Sequence, residues 1–83
     1  MKVLKIYSRT CGPCKVLESN LQLAGIPHES IDVQSIQGED IASKYEVRTV
    51  PTLILVDDEE NVVKRHSGLL GVQELKEFCN ENS

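Results

Sequence analysis

The chain has 83 residues, three cysteines, no tryptophan and a formal net charge of −4. Leu, Ile, Val and Phe supply 25 of those residues, well above the share typical of disordered chains, so one packed core is within reach of a single small domain spanning residues 1–83. Thirteen acidic against nine basic residues leave no footprint for nucleic acid, and no apolar run approaches the roughly 18–20 residues that cross a bilayer.

The N-terminal Met-Lys-Val-Leu-Lys-Ile-Tyr lacks the apolar core of a signal peptide, so the expected compartment is the reducing cytoplasm. Within that stretch, Val3-Leu4-Lys5-Ile6-Tyr7 reads as a first strand. Residues 8–10 turn the chain into a helical pattern with Cys14, Leu17, Leu21 and Ala24 on one stripe, flanked by Val16, Asn20 and Leu23. Gly25 is its stop signal, with Pro27 just beyond. Residues 28–33 alternate weakly as a second strand. Residues 37–45 form a second helix, with Ile41 and Tyr45 four apart. Thr52-Leu53-Ile54-Leu55-Val56 is an apolar run of strand length, the pattern of a central strand covered on both faces. Asp57-Asp58-Glu59-Glu60 is a solvated turn into a fourth strand over residues 61–66, and the short connection predicts a hairpin. Val72, Leu75, Phe78 and Cys79 mark the stripe of a last helix. The order is β-α-β-α-β-β-α. The first two strands flank a helix and are expected to be parallel with a right-handed crossover. The expected fold is α/β, a four-stranded mixed sheet with helices on both faces.

Cys11-Gly12-Pro13-Cys14 is the strongest chemical signal. It follows a strand and opens a helix, the context of a redox motif. Residues three apart share a helix face, and their separation fits the disulfide Cα span of about 4.4–6.8 Å. A thiol at a helix N-terminus faces unpaired N–H groups and the positive end of the dipole, which favour the nucleophilic thiolate. Cys11, the first and more exposed, is expected to attack, and Cys14, one turn in, to resolve the mixed disulfide. Pro13 suits the first turn, where its missing N–H costs nothing, and Gly12 leaves room for a substrate backbone. The competing readings are half of a structural metal site or two inert core thiols. Zinc takes four ligands, and neither the third cysteine nor the two histidines stand at a second paired spacing. Val50-Pro51-Thr52 is the second signal, a proline at the start of an apolar strand, where a missing N–H is tolerated.

Cys11 to Cys14 followed by Lys15, then the run Tyr45-Glu46-Val47-Arg48-Thr49-Val50-Pro51-Thr52, then Gly68 after the hairpin, resembles the thioredoxin family over nearly the whole chain. The resemblance implies protein disulfides as substrates and a reductase or low-molecular-weight thiol as reductant. It implies no cofactor beyond the cysteine pair, and a working unit of one chain, a monomer. Thr10, Gly12 and Pro13 would form the active-site loop. Val50–Pro51 would be cis and lie beside the disulfide, with Pro51 keeping metal ions from the thiols. The Thr49, Val50 and Pro51 segment would pair with an extended substrate.

The chain also departs from that family. Thr10 stands where thioredoxins usually carry Trp, and Lys5 where they usually carry a buried Asp that helps to move the proton of the second cysteine. Lys5 pointing at the thiols would favour the thiolate. The expectation is instead that it snorkels to the surface. The segment from Ile6 to Cys11 and the phrase Thr49-Val50-Pro51 also resemble glutaredoxins, which makes a glutathione-dependent reductase the alternative. The stretch Ser67-Gly68-Leu69-Leu70-Gly71 lacks the acidic pair with which glutaredoxins hold glutathione. A metal or iron–sulfur module, with two chains supplying four cysteines, is the reading of a different class.

Among lesser candidates, Cys79 is expected in the core as a small hydrophobe, and Tyr7 beneath the active-site loop. His28 and His66 are expected to be solvated strand residues. Arg9 either assists the thiolate or is an exposed loop charge, and Arg48 either lines the substrate groove or is a surface charge.

Overall fold

The apolar run at residues 52–56 lies in the middle of the sheet, buried along its whole length. The computed structural model describes residues 1–80. In chain order they form β1 (Lys2–Tyr7), α1 (Gly12–Leu23), β2 (Glu29–Asp32), α2 (Ile36–Lys44), β3 (Thr52–Val56), β4 (Val62–Ser67) and α3 (Val72–Phe78). This is the expected element order. The boundaries move by a residue or so: β2 is shorter than residues 28–33, α2 starts and ends one residue before 37–45, and β4 sits one residue after 61–66. Residues 81–83, part of the expected domain, lie outside the described residues.

The sheet order is β2-β1-β3-β4. β1 and β2 are parallel, as a helical crossover demands, while β1–β3 and β3–β4 are antiparallel. The acidic turn before β4 is organised by Asp57, whose Oδ1 accepts the amides of Glu59 and Asn61, each at 2.9 Å. Alternation along the strands sorts the core into two layers. Val3, Leu53 and Leu55 pack with Leu17, Leu21 and Leu75 under α1 and α3. Leu4, Ile6, Ile54 and Val56 pack with Ile31 and Tyr45 on the α2 face. Each fully buried Leu or Ile contributes about 1.5–3 kcal/mol through lost apolar surface.

Both longer helices carry sequence-encoded ends. α1 stops where Gly25 takes φ +68°, with the Gly25 amide donating to Gln22 O and that of Ile26 to Leu21 O. That pattern is a Schellman motif, sealed by Ile26 packing against the core layer that contains Leu21. α2 starts at Ser35, whose Oγ accepts the Gly38 amide at 2.9 Å and donates to Asp32 O at 2.7 Å. Ser35→Ala is therefore expected to cost about 1 kcal/mol, a fall of roughly 4–8 °C in Tm for a domain of this size. A thermal melt followed by circular dichroism reads it, and an unchanged Tm would show that water replaces the hydroxyl.

Candidate active site

The register of the sheet decides which loops meet. Ile6 of β1 pairs with Thr52 of β3, and Thr52 pairs with Ser67 of β4. The end of β1, the start of β3 and the end of β4 therefore lie at one end of the sheet. The Thr10–Cys11 turn, the 49–51 segment and the Gly68 turn all emerge there. Two hydrogen bonds tie the last two: the Gly68 amide donates to Pro51 O at 2.9 Å, and the buried Thr52 hydroxyl donates to Thr49 O at 2.7 Å. The Val50–Pro51 peptide is cis, as the family resemblance implies. Pro51 is buried, Val50 half-buried and Thr49 exposed.

Cys11 and Cys14 form a disulfide with their Cα atoms 5.3 Å apart. Cys11 is the N-cap of α1, in extended conformation, and its Sγ accepts the Cys14 amide at 3.1 Å. That contact places the first sulfur where an N-cap oxygen normally sits, among the free N–H groups of the first turn, a position that favours a thiolate. The two sulfurs differ in access. Cys14 is 2% exposed, whereas Cys11 is half-buried and its neighbours Thr10, Gly12 and Pro13 are exposed. Pro13 falls in the first helical turn.

The side chains behind Cys14 overturn two expectations. Lys5 does not snorkel: it is 4% exposed. Alternation along β1 points it to the α1 face, where its Nζ meets Glu18 Oε1 at 2.5 Å and lies 4.9 Å from the Tyr7 ring centroid. His28 is not a solvated strand residue. It precedes β2, its side chain is 10% exposed, and its Nε2 lies 2.9 Å from Glu18 Oε1. Its other nitrogen, Nδ1, lies 2.9 Å from Ile26 O. Glu18 also accepts from Gln22 Nε2 and Ser30 Oγ. The physical reason is mutual neutralisation: a buried ammonium is tolerated when a hydrogen-bonded carboxylate faces it. Glu18 and His28 were missed in the sequence, although Glu18 stands four residues after Cys14 and so on the same helix face.

This cluster sets an acid limit on the fold. The Lys5 hydrogen bond, helped by His28 and Gln22 and opposed by desolvation, lowers the Glu18 carboxyl to about 2 from its ordinary 4.5. The folded chain thus favours the carboxylate. The stabilisation is complete above about pH 4.5 and is lost as pH falls towards 2. With the side chain 29% exposed, solvent screening leaves on the order of 1–2 kcal/mol. Urea denaturation at pH 7 and pH 3 is expected to show a larger acid loss in the native chain than in Glu18→Gln. Equal losses would refute this account.

The remaining candidates sort themselves by contact. Arg9 is an exposed loop residue whose Nε donates to Asp32 Oδ2 at 2.7 Å. Asp32 is held below the usual carboxylate range first by the Gln34 amide and then by Arg9. Arg48 is exposed and His66 half-buried on β4. Tyr7 lines the cavity that contains Cys14. Cys79 packs against the α1–α3 core layer, as expected, and burial pushes its thiol up. Among the described residues, no group of three or more His, Cys, Asp and Glu is placed to hold a metal ion. No helix among them is long and apolar enough to cross a membrane.

Fold and dithiol together define the class, a thiol–disulfide oxidoreductase working through the Cys11–Cys14 pair. The Thioredoxin family model matches residues 1–81, and the chain belongs to the thioredoxin family. It is 32% identical over 68 residues to the SPbeta prophage-derived thioredoxin-like protein YosR of Bacillus subtilis, covering 82% of each chain. It is 33% identical over 79 residues to a thioredoxin of Mycoplasmoides gallisepticum, covering 92% of this chain and 78% of the relative. A mutant thioredoxin from Halobacterium salinarum superposes with a TM-score of 0.78 at 34% identity, covering 90% of this chain and 67% of the other.

Proposed function

We propose that the chain, as one thioredoxin-like domain over residues 1–83, is a cytoplasmic monomer that reduces protein disulfides, with Cys11 as nucleophile and Cys14 as resolving thiol. The observation that carries the assignment of roles is the asymmetry of the two sulfurs: Cys11 is accessible at the helix N-cap, and Cys14 is 2% exposed. In the reduced protein the Cys11 thiolate attacks a substrate disulfide. The substrate S–S bond breaks, one substrate sulfur leaves as thiolate, and a Cys11–substrate disulfide forms. Cys14 then attacks Cys11 Sγ, the second substrate sulfur leaves with the electron pair, and the Cys11–Cys14 bond closes.

The exposed Thr10, Gly12 and Pro13 would border the attacked disulfide. Thr49, Val50 and Pro51, at the same end of the sheet, would hold the substrate as an added extended segment. The pair itself carries the reducing equivalents, so the reading includes no bound cofactor. A thioredoxin-reductase-type enzyme or a low-molecular-weight thiol would restore the dithiol, giving the protein a place in electron transport and cell redox homeostasis. Nucleic acid and membrane have no role in this reading.

Insulin disulfide reduction tests it, with thioredoxin reductase and NADPH in one arm and glutathione with its reductase and NADPH in the other. Turnover in the first arm is the expected result. Turnover only in the second would assign glutathione as the reductant. No turnover in either arm or with dithiothreitol would overturn the reading.

A further inference from the structure

Lys5, Tyr7, Arg9, Cys14, Lys15 and Glu18 line one cavity of about 330 Å³ that opens behind the active-site helix. Its charge runs against that of the chain. Arg9 is matched by Asp32, and Lys5 shares Glu18 with His28. The two ring nitrogens of His28 face Ile26 O and the Glu18 carboxylate. Lys5, Arg9 and Lys15 thus stand against the carboxylates of Glu18 and Asp32, a local cationic excess in a protein of net charge −4. Glu18 is the carboxylate on the cavity wall, and it is a poor proton acceptor. Its oxygens already take bonds from Lys5, His28, Gln22 and Ser30, and they hold its carboxyl near 2.

We infer that Lys5 is a positioning residue for the resolving step: its buried ammonium, anchored by Glu18 and the Tyr7 ring, stabilises the Cys14 thiolate that attacks Cys11. This rests on the roles proposed above for the two cysteines. The Cys14 proton passes to water in the cavity. The thiolate forms the bond to Cys11 Sγ, the Cys11–substrate bond breaks, and the departing substrate thiolate takes a proton from solvent. The opposite charges of Lys5 and Glu18 give the inference a signature. Removing the cation makes the thiolate harder to form, and removing the anion makes it easier.

The test uses the full chain with Cys11→Ser and Cys79→Ala, which leaves Cys14 as the sole thiol. Thiolate absorbance near 240 nm is followed against pH. Lys5→Met is expected to lower the thiolate fraction about tenfold on the acid side of the titration, one pKa unit. Lys5→Arg is expected to restore it, and Glu18→Gln to raise it. A merely structural role would move Lys5→Met and Glu18→Gln in the same direction, and that result, or no movement in either, overturns the inference. Should Lys5→Met fail to fold, Glu18→Gln decides alone: a midpoint that does not fall overturns it. The titration needs no turnover. A chain inactive on insulin sinks the functional reading, whereas an active chain with an unmoved titration sinks this inference only.

Discussion

Cys11→Ser is expected to reduce insulin no faster than buffer, a loss of roughly a thousandfold or more, because no other thiol reaches the substrate. Cys14 is 2% exposed, and Cys79 is packed against the α1–α3 core layer with burial raising its thiol. Cys14→Ser has a different expected outcome. The first attack proceeds, and the chain accumulates as a covalent adduct with its target, seen as a mass increase that dithiothreitol reverses. Turnover is lost in both variants, so the adduct separates the two roles. An adduct on Cys11→Ser and none on Cys14→Ser would reverse the assignment.

Gly38→Ala is the second large expected effect, and it runs against helix propensity. Gly38 lies inside α2, where Ala is ordinarily preferred by about 1 kcal/mol. Here the first turn of α2 presses on the end of β2. A Cβ at residue 38 would overlap the Asp32 carbonyl oxygen and lie 2.6 Å from its carbon and 2.9 Å from Ser35 Oγ. Two of those atoms are backbone, so the helix must shift. Overpacking of this kind costs about 1–3 kcal/mol or more, and it also disturbs the Ser35 cap on the Gly38 amide. The expected net is a fall of about 10 °C in Tm. A raised Tm would show that the turn between Asp32 and Ser35 gives way easily. Asp32 is also the partner of Arg9, two residues before Cys11, so the strain would reach the active-site loop.

The elements with periodic patterns were legible in the sequence. The buried run of β3, the α1 stripe of Cys14, Leu17 and Leu21, and the Gly25 stop each follow from local rules, and each is found in place. The dithiol was legible for the same reason, since strand, motif and helix are contiguous. What escaped the sequence depends on contacts between distant segments. Lys5 in a strand reads as a side chain that reaches water, and only the placement of Glu18 across from it makes burial tolerable. His28 joins them from a third segment, and local alternation carries no trace of that. Gly38 reads as a weak helix residue, and its need for no side chain appears only once Asp32 is seen against it. The isomer of Val50–Pro51 came from the family resemblance, since the base rate for an X–Pro bond favours trans.

β3 bears on motion as well as position. It is bonded to a strand on each side and buried along its length, so its amides open to solvent only when most of the domain does. Pro51 is the residue immediately before it, and the Gly68 turn is fastened to Pro51 O. The segment proposed to hold the substrate is thus joined directly to the strand that is bonded on both sides and buried along its length. On the proposed reading a target disulfide would meet a surface already formed, and the pace of exchange would fall to sulfur chemistry and encounter.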